Sequence, residues 1–208
     1  MRSDVLLVAS PGRGPRIECS GGLAARRTRP DTVHLISAAA TPLGGDAIAI
    51  RIVVEAGARL RVRSVAATVV LPGATTTQSH SSWDLEVDGE LDLDVEPTVV
   101  AGGSHHLAGT RLRLGRDGRA RVRESVQIGR TGETQGYWSG ALHADVDGTP
   151  LLRHRVELGG GTVADDELGS PRACISELRY PQTSFVSPGT VLELAAGGCL
   201  ATWQGERL

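Results

Sequence analysis

The chain has 208 residues, a formal net charge of −2 and 40% hydrophobic residues, enough for one sizeable core and too little basic surplus for a nucleic-acid partner. Every basic residue is an arginine, which excludes a Walker-type phosphate loop, whose glycine turn must end on lysine, and all Schiff-base chemistry. Three dispersed cysteines, Cys19, Cys174 and Cys199, suit a reducing cytoplasm rather than a disulfide framework, and no apolar run approaches the ~20 residues of a membrane span.

No compositional break divides the sequence, so residues 1–208 read as a single domain. The apolar run Val5–Ala9 reads as an edge strand. The block Thr41-Pro42-Leu43-Gly44-Gly45-Asp46 follows, a turn in which proline fixes φ, the glycines permit unusual backbone angles and the aspartate can accept from exposed amides. It opens onto the alternating strand Ala47–Val54, where Ile48, Ile50, Ile52 and Val54 share one face.

Period-two alternation then repeats in units that read as stacked hairpins. Three-residue turns at Ala56-Gly57-Ala58, Asp88-Gly89-Glu90 and Arg116-Asp117-Gly118 keep the faces in phase, setting Val54 against Leu60, Val87 against Leu91 and Leu114 against Ala120. Gly118 falls where such a hairpin wants a left-handed residue. A longer loop around Asp147-Gly148 would set Val146 against Leu152. Asp84, Glu86, Asp92 and Asp94 share a face of the second unit, and Arg111, Arg113, Arg121 and Arg123 a face of the third. Like charges side by side are destabilising in a sheet, so each unit is frustrated alone and the two ladders are expected to lie together or to meet an oppositely charged partner.

Towards the end, a Gly-rich and acidic run from Gly159 to Glu167 precedes the strongest helix signal, Ser170 as N-cap, Pro171 as first helical residue and Cys174, Ile175 and Leu178 on one side up to Pro181. Thr190–Leu194 and Leu200–Trp203 read as short strands. The fold expected is all-β: stacked β-hairpins in a β-helix-like sandwich, with one or two short helices near the C-terminus.

Six histidines are poorly spaced for a closed metal site. His105 and His106 are adjacent and face opposite ways on a strand, and His154 sits in an apolar file as a core histidine. No Gly-x-Ser-x-Gly elbow marks a nucleophile, and the alternating carboxylates read as a ladder rather than an acid/base couple. Tyr137 and Trp138 would give a small-molecule or carbohydrate-binding β domain a stacking platform.

The turn Ile128-Gly129-Arg130-Thr131-Gly132-Glu133 completes a set of four features in order with Leu43-Gly44-Gly45-Asp46, the strand carrying Ala66-Ala67-Thr68, and Leu93 to Val100 with Pro97. In these the chain resembles a short and divergent member of the urease accessory protein family UreD, also called UreH, over roughly Leu35 to Leu158. The matching motif positions are Pro42, Gly44, Gly45, Asp46, Thr68, Pro97, Gly129, Arg130, Gly132 and Glu133. The resemblance implies a cytoplasmic, non-catalytic scaffold that binds urease structural subunits and recruits UreF and the GTPase UreG. It also implies passage of Ni²⁺ through an internal tunnel, with no tightly bound cofactor. A conduit must bind its cargo weakly, through scattered carboxylates and imidazoles. Asp46 and Glu133 are the expected conduit or turn-locking residues, with His105 and His106 as further transient contacts.

Overall fold

The computed structural model describes residues 1–162 and 170–208; part of the run from Gly159 to Glu167 lies outside them. The described chain forms β1 (Arg2–Ala9), β2 (Arg16–Ser20), β3 (Leu23–Arg29), β4 (Thr32–Ser37), β5 (Ala47–Val54), β6 (Arg59–Ser64), β7 (Thr68–Val70), β8 (Gln78–Val87) and β9 (Glu90–Asp94). It continues with β10 (Thr98–Val100), β11 (His105–Leu114), β12 (Arg119–Ile128), β13 (Tyr137–Val146), β14 (Thr149–Gly159), β15 (Ala173–Tyr180), β16 (Thr190–Glu193) and β17 (Cys199–Gly205). One sheet runs β14-β13-β11-β8-β5-β1-β2 and the facing sheet β16-β17-β15-β12-β9-β6-β4-β3, with β7 and β10 stacked in parallel beside β12.

The units with three-residue turns are not hairpins. In each, the first strand (β5, β8, β11) joins one sheet and the second (β6, β9, β12) joins the other. Each strand pairs in parallel with its counterpart in the next unit, as in Ile52↔Leu85 and Leu85↔Leu112, or Leu60↔Leu91 and Leu91↔Ala120. The result is a β-solenoid-like stack of arches. Face parity survives because an odd turn preserves it whether the strands pair with each other or merely face one another across a core. The turns themselves stack: Gly89 N donates to Val54 O and Arg119 N to Gly89 O. Gly118 does not carry positive φ; a side chain there would lie 2.2 Å from Val87 O, so close approach of the preceding turn is what excludes one.

A true hairpin closes this sheet. Asp147 (φ 48°) and Gly148 (φ 75°) form a two-residue loop with positive φ at both positions, the geometry that matches strand twist. Val146 therefore faces Thr149, and a bulge at Ala144/Asp145 brings Ala144 opposite Leu152. At the other end β1 is not an edge: it lies between β5 and the short edge strand β2.

No helix occurs among the described residues. The expected helix after Ser170 is β15, whose backbone is paired on both sides, to β12 and to β17. Alternation wins over the cap signal here, since Cys174, Ser176 and Leu178 are all buried and Glu177 reaches the arginines of β12. The expected strands near the C-terminus are β16 and β17, paired antiparallel.

The inward files of both sheets meet in a main apolar core that includes Leu7, Ile52, Leu60, Leu85, Leu91 and Leu112, beside a smaller cluster that includes Val100, Ile128, Trp138 and Leu158; burying each such large side chain stabilises by roughly 2 kcal/mol. On the outer faces the acidic and basic ladders do lie together. Arg51, Asp84 and Arg111 are in register across three strands, as are Arg61, Asp92 and Arg121. Arg113 pairs with Asp84 (2.7 Å) and Glu86 (2.8 Å), and Arg121 with Asp94 (2.8 Å) and Glu177 (2.8 Å). The frustration of each unit is relieved by its neighbours.

Candidate functional site

Both motif turns are locked by their own carboxylates. Asp46 is buried and accepts from the Met1 amino group (2.5 Å), the Leu43 amide (2.8 Å) and the Thr41 hydroxyl (2.9 Å). Burial alone would raise its carboxyl, but these three donors outweigh it and hold it below the ordinary aspartate range. Gly44 lies so close to the 73–76 segment that a Cβ would sit 1.8 Å from Thr76 O and 2.5 Å from Gly73 N, which accounts for glycine at this position. The turn also pairs Leu43 with Leu71.

Glu133 closes the second turn. Its Oε2 accepts from the Gly102 amide (2.9 Å) and the Arg130 amide (3.1 Å), and its Oε1 from Arg130 Nε (3.0 Å). The Arg130 hydrogen bond above all, then the two amides, hold its carboxyl down at about 2. Glu133→Ala is expected to loosen this turn alone. Amide hydrogen exchange at Gly102 and Arg130 should accelerate while core amides keep their protection, and uniform exchange across the chain would contradict the assignment.

His105 and His106 point to opposite sides of β11, as their adjacency requires. His105 is exposed beside Tyr137, with ring centroids 5.6 Å apart. His106 is buried, with Ser79 Oγ 2.9 Å from Nδ1 and Ser81 Oγ 2.9 Å from Nε2. Burial pushes its imidazole down to about 4, so the ring is neutral at physiological pH and both nitrogens are engaged. Trp138 is 2% exposed, so Tyr137 and Trp138 do not form a surface stacking platform.

Between the sheets lies a cavity of about 220 Å³. Its apolar wall includes Ile48, Ile50, Trp83, Leu93 and Val122, interrupted by Ser81, His106, Thr110 and Glu124. Pro42 and Thr68 of the motif turns also line it, whereas Asp46, Glu133, His105, Pro97, Gly129, Arg130 and Gly132 do not. A second chamber of about 20 Å³ shares Thr110, Val122 and Glu124 with the first and adds Trp138, His154 and Ser176 among its walls.

Glu124 is the residue that sequence reasoning missed. It occupies an inward position of β12, in file with Ala120, Val122, Val126 and Ile128, all buried. It is partly buried, part of its surface faces the cavity, and no described residue hydrogen-bonds or ion-pairs its carboxyl. Burial lifts that carboxyl to about 7. The available signal was parity, since alternation through Arg119–Ile128 makes Glu124 the one charge in an apolar file. Among the described residues no group of three or more His, Cys, Asp or Glu side chains is arranged to hold a metal ion.

Residues 16–178 match the family model described as UreD urease accessory protein. The chain belongs to that family. Curated relatives agree. It is 36% identical over 190 residues to urease accessory protein UreD 1 of Saccharopolyspora erythraea, covering 87% of this chain and 74% of the relative. It is 41% identical over 193 residues to UreD of Frankia casuarinae (83% and 60%) and 40% identical over 224 residues to UreD of Frankia alni (95% and 75%). The chain thus spans between 60% and 75% of these relatives' lengths. UreD membership makes this an accessory protein of urease and not an enzyme in its own right. No helix among the described residues is long and apolar enough to cross a membrane.

Proposed function

We propose that this chain is a cytoplasmic urease maturation scaffold, folded as one domain over residues 1–208, that binds apo-urease and recruits UreF and, through it, the GTPase UreG. In this reading Ni²⁺ is cargo, passed along the space between the two sheets. The observation that carries it is the inter-sheet cavity with an unpartnered carboxyl on its wall. A sandwich core is ordinarily close-packed, its voids are few, and an apolar void stays dry. Here Ser81, Thr110 and Glu124 face open space, which is what a path for a hydrated or partly hydrated cation needs and a passive core does not. Oxygen donors spaced along an otherwise apolar wall bind a divalent ion weakly enough to release it. Asp46 and Glu133 serve as the locks that hold the two motif turns, His106 as a wall position rather than a ligand, and His105 lies outside the cavity.

Ala108 lines the wide cavity, and Ala108→Phe would place a ring within it. In a reconstituted maturation assay with urease apoprotein, UreF, UreG and Ni²⁺, this variant should lower urease activation at least tenfold while still co-purifying with urease subunits. Full activation by the variant would overturn the conduit, and failure of the unmodified chain to co-purify with urease subunits or UreF would overturn the scaffold.

A further inference from the structure

We propose that the open edge of β3 is a docking site for an extended acidic segment of another protein, which adds to the sheet as a further strand and places its carboxylates beside Arg26 and Arg29. Neither arginine lines the inter-sheet cavity, so the proposal stands whether or not the conduit does.

β3 is the terminal strand of its sheet and is hydrogen-bonded to β4 on one side only, so its other side presents a row of backbone donors and acceptors. Leu23 and Ala25 are buried, whereas residues 26–29 are all exposed. Arg26, Arg27 and Arg29 make no ion pair among the described residues, and the one side-chain hydrogen bond among them runs from Arg26 Nη1 to the Ala25 carbonyl (3.1 Å). Arg27 lies against Gly14 in the loop between β1 and β2. Arg13 of that loop is also exposed and without an ion pair, and it brings a fourth cation to the edge.

The charge ladder on the outer face of this sheet shows what the edge lacks. Further in, Asp92 stands in register between Arg61 and Arg121 and pairs with Arg63 at 2.5 Å. Towards the edge the acids run out. Arg26 stands opposite His34 and His34 opposite Arg63, while Arg29 stands opposite Thr32 and Thr32 opposite Arg61. Asp31 is already taken by Arg61 (3.6 Å) and the Thr32 hydroxyl (3.0 Å). An incoming strand with Asp or Glu at alternate positions continues the pattern by which β9 ties β6 to β12.

The other sheet ends are not built this way. β14 carries Pro150 and ties Arg153 to Asp145 and Arg155 to Glu157, β2 pairs Arg16 with Glu18, and β16 has no arginine. Arginines on an edge repel cationic and apolar strands, so the residues that keep this edge from pairing with its own kind also select an acidic one. A second copy of the chain does not supply it, because the acidic strand β9 is paired on both sides. None of the exposed large apolar residues lies on β3, and a nucleic acid, lacking peptide groups, leaves the backbone row unused.

The test is fluorescence anisotropy of the full chain with a labelled synthetic peptide that alternates glutamate with threonine, set against a peptide of the same composition with its glutamates in one block. The alternating peptide should bind at least tenfold tighter. Arg26→Glu and Arg29→Glu together should weaken it at least tenfold, whereas Arg111→Glu, at an exposed and unpaired arginine of β11, should leave it unchanged. Binding should also slow amide hydrogen exchange in residues 26–29, which attraction between charges alone does not do. Equal affinity for the two peptides, an equal loss in Arg111→Glu, or unchanged exchange in residues 26–29 overturns strand addition. A single-stranded DNA oligonucleotide that binds as tightly as the alternating peptide overturns the assignment to an acidic protein segment. If the unmodified chain binds neither peptide and the double variant self-associates, the arginines only guard the edge and the proposal falls. Should the double variant fail to fold, the two peptides on the unmodified chain still decide the outcome.

Discussion

Arg121→Glu is expected to lower the unfolding free energy by about 3 kcal/mol or more, the scale seen when one partner of a buried ion pair is removed. Arg121 is 26% exposed and donates to Asp92, Asp94 and Glu177, the last only 7% exposed. Reversal would leave four carboxylates on one patch of β9, β12 and β15, with Arg63, Arg123 and Arg179 as the remaining cations nearby. The natural control is Arg111→Glu on the same ladder. Arg111 faces Asp84 and His143 in register but, among the described residues, makes no ion pair, and it lies on the exposed face, so the change should cost no more than about 1 kcal/mol. Urea denaturation of the two variants at one ionic strength makes the comparison, and equal losses would show that the ladder is a solvated face rather than the tie between coils.

That ladder also shows how far the fold was legible. Alternation identified strands β5, β6, β8, β9, β11 and β12, and odd turn lengths kept their faces in phase. Parity is silent, however, on whether Val54 and Leu60 are hydrogen-bonded neighbours or facing members of two sheets. The charges carried the missing information. Asp84 and Glu86 beside Arg51, Arg111 and Arg113 are stable only if successive units stack strand on strand, which turns hairpins into arches. The late helix failed for a related reason. Ser170-Pro171 is a sound local start, yet β12 and β17 each present a row of backbone groups, and β15 satisfies both. Non-local pairing of this kind leaves no local signature.

The candidate site divides in the same way. Pro42, Gly44, Gly45, Asp46 and Glu133 were visible because turns advertise themselves through residue type, and the geometry shows what they lock. The cavity was not visible, because it depends on which inward positions of two sheets come to face one another. Glu124 could have been found by parity alone; that His154 shares a chamber with it depends on β14 and β15 lying beside β13 and β12, which no spacing encodes.

Glu124→Gln should stabilise the protein at alkaline pH and leave it nearly unchanged in acid. In the unfolded chain the carboxyl titrates near its ordinary value of 4.5, whereas burial lifts it to about 7 in the fold. Between these values the native state holds a proton that the unfolded state has lost, so stability declines as pH rises through this window and remains lower above it. The difference corresponds to about 3 kcal/mol at pH 8, the cost of ionising a carboxyl that no protein group hydrogen-bonds. Glutamine keeps the shape and has nothing to ionise. Urea midpoints of the two proteins should therefore nearly coincide at pH 4.5 and diverge at pH 8 in favour of the variant. The lowered carboxyls of Asp46, Glu133 and Glu177 act in the opposite sense, losing stability as pH falls, but they are common to both proteins and cancel in the difference. A gap that is the same at both pH values would mean that Glu124 is solvated or paired in solution, and the cavity wall would then lack the feature that sets it apart from a packed core.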